Sequence, residues 1–492
     1  MSALAEVLRG RGWVVTGWDD GLPHKEMGNN GLWIEAEQLP SELDLVVYSS
    51  AIAGDHPQRI AAQQIAARTV NAPVVSYSQM LGHIGQSGQL LAVAGTHGKS
   101  TTVAMAGEIL CAAKLDPTIV CGASPLGAAS GGRAGRGEFV LVEACEYRRN
   151  FLNLHPKATA LLPIEADHFD CFATMRDVEG AFTALAGNLP PDGLLLASAD
   201  CPVASRIAAG QSARVVTFGA AAPADWTIAD ACSAGAGSRF TLLRQGRRFA
   251  DVVLAVPGEH NVSNALAAAA LAHEAAGATA EQVAAGLARF RGLSRRLEYR
   301  ATCGGVELYD DYAHHPTEVA AGLRTLRQLH PKGRLCCVFQ PHQVSRTAAL
   351  LDELAAGLQN ADVVAVAEIF AAREPREGPE AVTAEDLAQR VTRIEGRGAR
   401  GEGGGNDGLP TSANVTTTKT TADTSTRATP RPSSLAPRPS IQVLDVHRPE
   451  DIAHRLQSAL SPGDVVVTMG AGDIWKVGDE LIKRSGTFRY TR

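Results

Sequence analysis

The stretch "AVAGTHGKSTT", residues 92–102, sets glycines, a lysine and a row of hydroxyls behind an apolar run. Residues of these types can hold a polyphosphate: Lys99 would neutralise the transferring phosphate and the Ser100 hydroxyl would ligate Mg²⁺. A turn through Gly95, Thr96, His97 and Gly98 into Lys99, Ser100 and Thr101 would aim backbone N–H groups and a helix N-terminus at one point. The strict loop pattern would need glycine where Val93 stands. On the loop alone, an ordinary glycine-rich strand-to-helix turn stays open.

Further polar clusters follow downstream. "LVEACE" carries Glu143 and Glu146, and "IEADHFD" carries Glu165, Asp167, His168 and Asp170. Glu143 ends an apolar strand, as a metal ligand or a merely solvated carboxylate would. His168 among aspartates suits a metal ligand, or a surface histidine. "PGEHNVSNALAA" brings His260, Asn261 and Asn264 to the start of an alanine-rich helix, where the first two could simply cap it. In "YDDYAHHPTEV", Asp310 and Asp311 could hold an ammonium ahead of Tyr312, His314 and His315, and Arg346 in "FQPHQVSRT" suits a carboxylate clasp. The plain reading of that stretch is a polar strand-to-helix turn with Pro316 as first helical residue.

These groups need elements to position them, and the periodicity predicts an α/β chain. "QLLAVAG" has the form of a buried parallel strand, and "KSTTVAMAGEILCAA" carries apolar residues at helical spacing. Residues 1–88 alternate in the same way: helix in "ALAEVLRGRG", strand in "WVVTGWDD" and "LDLVVYSSAI", helix in "HPQRIAAQQIAART". A strand that ends in Asp19 and Asp20 is placed to face a ribose. Residues 89–297 form a second unit around the glycine loop. Residues 298–492 form a third α/β unit, which begins with "VELYDDYAHHPTEV" and "RLCCVFQPH" and ends with "GDVVVTMGAGDIWKVGDELIK". Residues 395–440 are rich in Gly, Ser, Thr and Pro and poor in large apolar side chains, so they are expected to be a disordered insertion.

Bulk properties exclude several classes. With 492 residues the chain exceeds one compact core. A net charge of −6 and no basic stripe argue against nucleic acid. No apolar run is long enough to span a membrane, so no membrane insertion is expected. The nine cysteines are scattered without metal-finger spacing, which fits reduced thiols in the cytoplasm.

In their order and separations, "GTHGKSTT", "PGEHNVSNALAA" and "DDYAHHPTEV" resemble the Mur ligases, ATP-dependent amide-forming enzymes of peptidoglycan precursor synthesis. That family's loop is of the short GTHGK[ST] form, which accounts for Val93. The resemblance implies three domains: a Rossmann-like UDP-sugar domain (1–88, truncated), a central P-loop-type ATP domain (89–297) and a C-terminal Rossmann-like α/β domain (298–492). It implies ATP and Mg²⁺ as cofactors, with Ser100 and Glu143 on one ion, His168 on a second, and Lys99 on the phosphates. It further implies His260, Asn261 and Asn264 near adenine and Arg296 near the phosphoryl group. Asp311 and His314 would be catalytic, with Asp19, Tyr312, His314 and Arg346 on the substrates. Within the family the motifs are most similar to the branch that joins UDP-N-acetylmuramate and L-alanine.

Some positions depart from the family pattern. "MSALAEVLRGRG" resembles the helix that follows a first strand and a glycine-rich turn, neither of which is in the chain. Pro163 replaces a usual asparagine, "YRR" follows Glu146, and Gln343 stands where arginine is common. These departures bear on sugar contacts and on the amino acid used. Two other classes therefore stay open: a sister ligase that attaches a preformed peptide, and a non-catalytic nucleotide-binding relative.

Overall fold

The computed structural model describes residues 1–17, 41–68, 72–220, 223–372, 374, 382–398 and 441–484. Asp19, the expected ribose contact, lies outside them, as does residue 399 onward in the expected insertion. The strand expected over "WVVTGWDD" is absent from its described part: Trp13–Gly17 pair with no strand among the described residues. β-propensity without a neighbour to bond is not enough to make a strand.

Three sheets organise the described residues. A small parallel pair joins β1 (Val46–Tyr48) to β2 (Val74–Ser76). The large central sheet runs from β3 (Gln89–Ala94) through β4 (Thr118–Val120), β5 (Gly132–Arg133), β6 (Phe139–Glu143), β7 (Ala158–Leu161), β8 (Leu194–Ser198) and β9 (Arg214–Phe218). It continues into the meander of β10 (Trp226–Ala234), β11 (Gly237–Arg244) and β12 (Arg247–Leu254). Its spatial order is β12-β11-β10-β9-β8-β7-β3-β6-β4-β5. The third sheet holds β13 (Glu298–Cys303), β14 (Val306–Asp311), β15 (Leu335–Phe339), β16 (Val363–Val366), β17 (Gln442–Leu444) and β18 (Val465–Met469), ordered β13-β14-β18-β15-β16-β17. Only β13 runs antiparallel to its neighbour there.

Packing explains which helices sit where. The Glu259–Ala276 helix buries Ala265–Ala272 on every face. Alanine favours helix and is small enough to let neighbours close in all round. The Lys99–Ala112 helix meets the Ala280–Arg289 helix so tightly that a Cβ on Gly286 would lie 2.4 Å from the Ile109 Cα. At the other sheet edge, the Ser2–Gly10 helix packs Leu4 and Val7 into the core beside Val120, and Ala3 O would meet a Cβ on Gly132 at 2.1 Å. That helix therefore rests on the central sheet, not on β1 and β2. The Ala384–Gly398 helix runs through residues 395–398, assigned from composition to the insertion, because Leu387 and Val391 anchor it in the core.

The two large sheets point their carboxyl ends at one joint. Loops after β3 and β7 meet those after β14 and β15, where His97 reaches Glu318, Ala166 O meets His315 and Asp167 meets Arg346; such loops are where open α/β sheets bind ligands.

Candidate active site

The glycine loop is built around two demands on its backbone. Gly98 caps the Lys99–Ala112 helix at φ 77°, a left-handed conformation that costs other residues about 1–2 kcal/mol. A Cβ there would also sit 2.2 Å from Asn264 Oδ1, so the loop and the Glu259–Ala276 helix touch at this glycine. Thr96 is tied down by its hydroxyl, which accepts from Glu165 N at 2.8 Å.

Acidic groups after β6 meet the loop. Ser100 Oγ donates to Glu143 Oε2 at 2.7 Å, and Gly122 N donates to the same oxygen at 2.9 Å. Lys99 Nζ donates to the carbonyls of Gly95 (2.6 Å) and Thr96 (3.0 Å) and pairs with Glu146 at 3.0 Å. Glu146 is only 3% exposed. Burial opposes its charge, but Lys99 and His168 outweigh that and hold the carboxyl below its usual range. His168, at φ 53°, places Nε2 3.7 Å from Glu146 Oε1 and 3.8 Å from Asp167 Oδ2.

Groups of the C-terminal sheet meet these residues. The Pro316–Leu329 helix starts with His315 as N-cap and Pro316 behind it, and Glu318 accepts from His314 N (3.2 Å) and His315 N (3.5 Å). Glu318 Oε1 also reaches across to His97 Nδ1 at 3.1 Å, while His97 Nε2 lies 3.2 Å from Glu165 Oε2. Burial alone would lower His97, yet its bonds to the two glutamates raise it to about 9. Asp311 is pushed up to about 7 by burial, with Arg296 opposing, and its Oδ1 accepts from Ala313 N. His314 falls to about 4 through burial, and its Nδ1 lies 2.9 Å from Tyr312 O. Arg296 stacks on Tyr312 at 5.0 Å.

Most of the sequence-selected residues thus converge: Lys99, Ser100, Glu143, His168, Asn264, Arg296, Asp311, Tyr312 and His314. Others are bonded to groups of the protein. Asn261 Nδ2 donates to Pro257 O at 2.7 Å, within its own turn. His260, lowered to about 4 by burial, flanks it. Arg346 is 1% exposed, and its Nε donates to Asp167 Oδ1 at 2.6 Å while Nη1 meets His342 Nδ1 at 2.7 Å. The carboxylate it holds here belongs to the protein. Sequence reasoning assigned no role to Glu146, Asp167, Glu165 or Glu318. The signal for Glu318 was its place three residues after His315, the capping-box spacing. The others show their partners only once the sheets face each other.

Fold and site define a phosphate-loop α/β enzyme whose polar cluster lies where the two sheets meet. Residues 93–272 match the Mur ligase middle domain, and residues 295–430 match the Mur ligase glutamate ligase domain. A UDP-N-acetylmuramate–L-alanine ligase from Agathobacter rectalis is 34% identical across 98% of this chain and 95% of its own length. One of the same name from Desulfitobacterium hafniense is 36% identical across 89% and 86%. Among solved structures, a UDP-N-acetylmuramate–alanine ligase from Thermotoga maritima shares the fold at TM-score 0.65 and 22% identity, covering 90% of this chain and 85% of its own. A murein peptide ligase from Psychrobacter arcticus does so at 0.66 and 22%, covering 100% and 97%. The chain belongs to the Mur ligase family.

Proposed function

We propose that the chain is an ATP-dependent ligase that joins L-alanine to the lactyl carboxylate of UDP-N-acetylmuramate in peptidoglycan precursor synthesis. The observation that carries the reading is the meeting of the glycine loop, Glu143 and "DDYAHHPTEV" at one joint. The names and near-full coverage of the relatives support the choice of substrates.

The carboxylate takes the γ-phosphate of ATP, ADP leaves, and the acyl phosphate is attacked by the alanine amine. Phosphate then leaves as the amide forms. Lys99 is the cation for the transferring phosphate, and Arg296 is a second at the side of the C-terminal unit. Ser100 Oγ and Glu143 Oε2 lie 2.7 Å apart, close to the roughly 2.9 Å edge of an octahedral Mg²⁺ shell with bonds of about 2.05 Å. These two residues would hold Mg²⁺, and His168 a second ion. Bound Mg²⁺ neutralises charge on the phosphate oxygens.

The amine must lose a proton to attack. His314 is neutral at pH 7, and Nδ1–H donating to Tyr312 O leaves Nε2 as acceptor for that proton. Asp311 holds the incoming ammonium beforehand, because a nearby cation draws its raised pKa back down. The enzyme would work in the cytoplasm, where ATP and sugar nucleotides are available. Among the described residues no helix is long and apolar enough to cross a membrane.

A phosphate-release assay tests the reading. With ATP, Mg²⁺ and UDP-N-acetylmuramate, release should depend on L-alanine. Release with a tripeptide acceptor but not with alanine, glycine or serine would overturn it.

A further inference from the structure

Three side chains converge at the phosphate loop without a step assigned to them above: His97 within the loop itself, and Glu165 and His315 against it. His97 Nε2 is 3.2 Å from Glu165 Oε2, and His315 Nδ1 is 3.4 Å from the same oxygen. All three donor atoms lie within 4.8 Å of one another, and the site is empty. A tetrahedral Zn²⁺ with bonds of about 2.1 Å sets its donors roughly 3.4 Å apart, so two edges of the triangle already have the required length.

The outward nitrogens strengthen the case. His97 Nδ1 is 3.1 Å from Glu318 Oε1, and His315 Nε2 is 3.3 Å from Ala166 O. Metal-bound histidines need such an acceptor on the other ring nitrogen, since it fixes the tautomer that leaves a lone pair for the ion. In that tautomer His315 Nδ1 and the Glu165 carboxylate are two acceptors face to face, which a shared cation relieves. Thr317 supports both: its N–H donates weakly to His315 Nδ1 (3.3 Å) and its hydroxyl donates to Glu165 Oε2 (2.7 Å). An ion would take over the first of these bonds. Two imidazoles and one carboxylate suit Zn²⁺ or Co²⁺ better than Mg²⁺, which prefers an all-oxygen shell.

We propose that His97, Glu165 and His315 form a Zn²⁺ site, completed by water, that bridges the central and C-terminal units. His97 and Glu165 come from the central unit and His315 from the C-terminal one, so an ion here fastens the joint over the phosphate loop.

Co²⁺ is the optical probe. Full-length protein titrated with Co²⁺ in millimolar Mg²⁺ should bind one equivalent, with visible bands of a four-coordinate nitrogen and oxygen site that Zn²⁺ abolishes. No thiolate-to-cobalt band should appear, although the chain has nine cysteines. His315→Asn keeps a side-chain helix cap but removes the imidazole, and Glu165→Gln keeps the shape but removes the charge. Each should weaken Co²⁺ and Zn²⁺ at least tenfold. Parent-like affinity in both variants, a thiolate band, or no stoichiometric uptake overturns the site. Thermal melts check that the variants fold, and the parent spectrum decides the question by itself where they do not.

Discussion

Lys99 carries two loads that a substitution would separate. It is the proposed phosphate cation, and it is the counter-ion of a carboxylate that is 3% exposed. Lys99→Ala should abolish phosphate release and also destabilise the fold by about 3–5 kcal/mol, the cost of leaving one partner of a buried pair uncompensated. Adding Glu146→Gln should recover most of that stability in a denaturant melt while phosphate release stays absent. Recovery of turnover in the double variant would remove Lys99 from the chemistry. The lysine was legible from its motif. Its partner was not, because Glu146 lies 47 positions away and only the alignment of β6 beside β3 brings the two together.

Elements were the most readable level, since hydrophobic period is a local property. The strand Gln89–Ala94 and the Lys99–Ala112 helix fall inside the stretches whose patterns predict them. Trp13–Gly17 fails as a strand because pairing is not local. Gly98 shows how a turn commits two elements at once: Gly98→Ala should raise the KM for ATP at least tenfold and lower the melting temperature. The clash with Asn264 Oδ1 adds to the cost of a left-handed alanine. Asn264→Ala combined with it should restore only the part due to the clash. Full restoration would mean that the conformation at Gly98 carries no strain.

For the molecule as a whole, His97 links units by charge. Its folded pKa of about 9 exceeds the ordinary 6.5, so its contribution is complete below about pH 6.5 and is lost as pH rises through 9. The melting temperature should therefore fall by a few degrees more between pH 6.5 and 9.5 in the parent than in Glu318→Gln, where half of the clamp is gone. Equal slopes would show that His97 does not carry the coupling. Deletion of residues 401–438 should leave melting and phosphate release nearly unchanged, because the stretch has too few apolar residues to be packed. A large drop in either would show that it docks.

The sequence by itself determined the phosphate loop, the helix start at "HHPTE" and the α/β alternation, because each depends on neighbours within a few residues. Only the tertiary structure decided that the Ser2–Gly10 helix rests on the central sheet, that Arg346 grips Asp167, and that His97, Glu165, His315 and Glu318 form one cluster. The physical reason is common to all three. These contacts join residues from 68 to 221 positions apart, through sheets whose facing is set by the burial of whole surfaces and not by any local pattern.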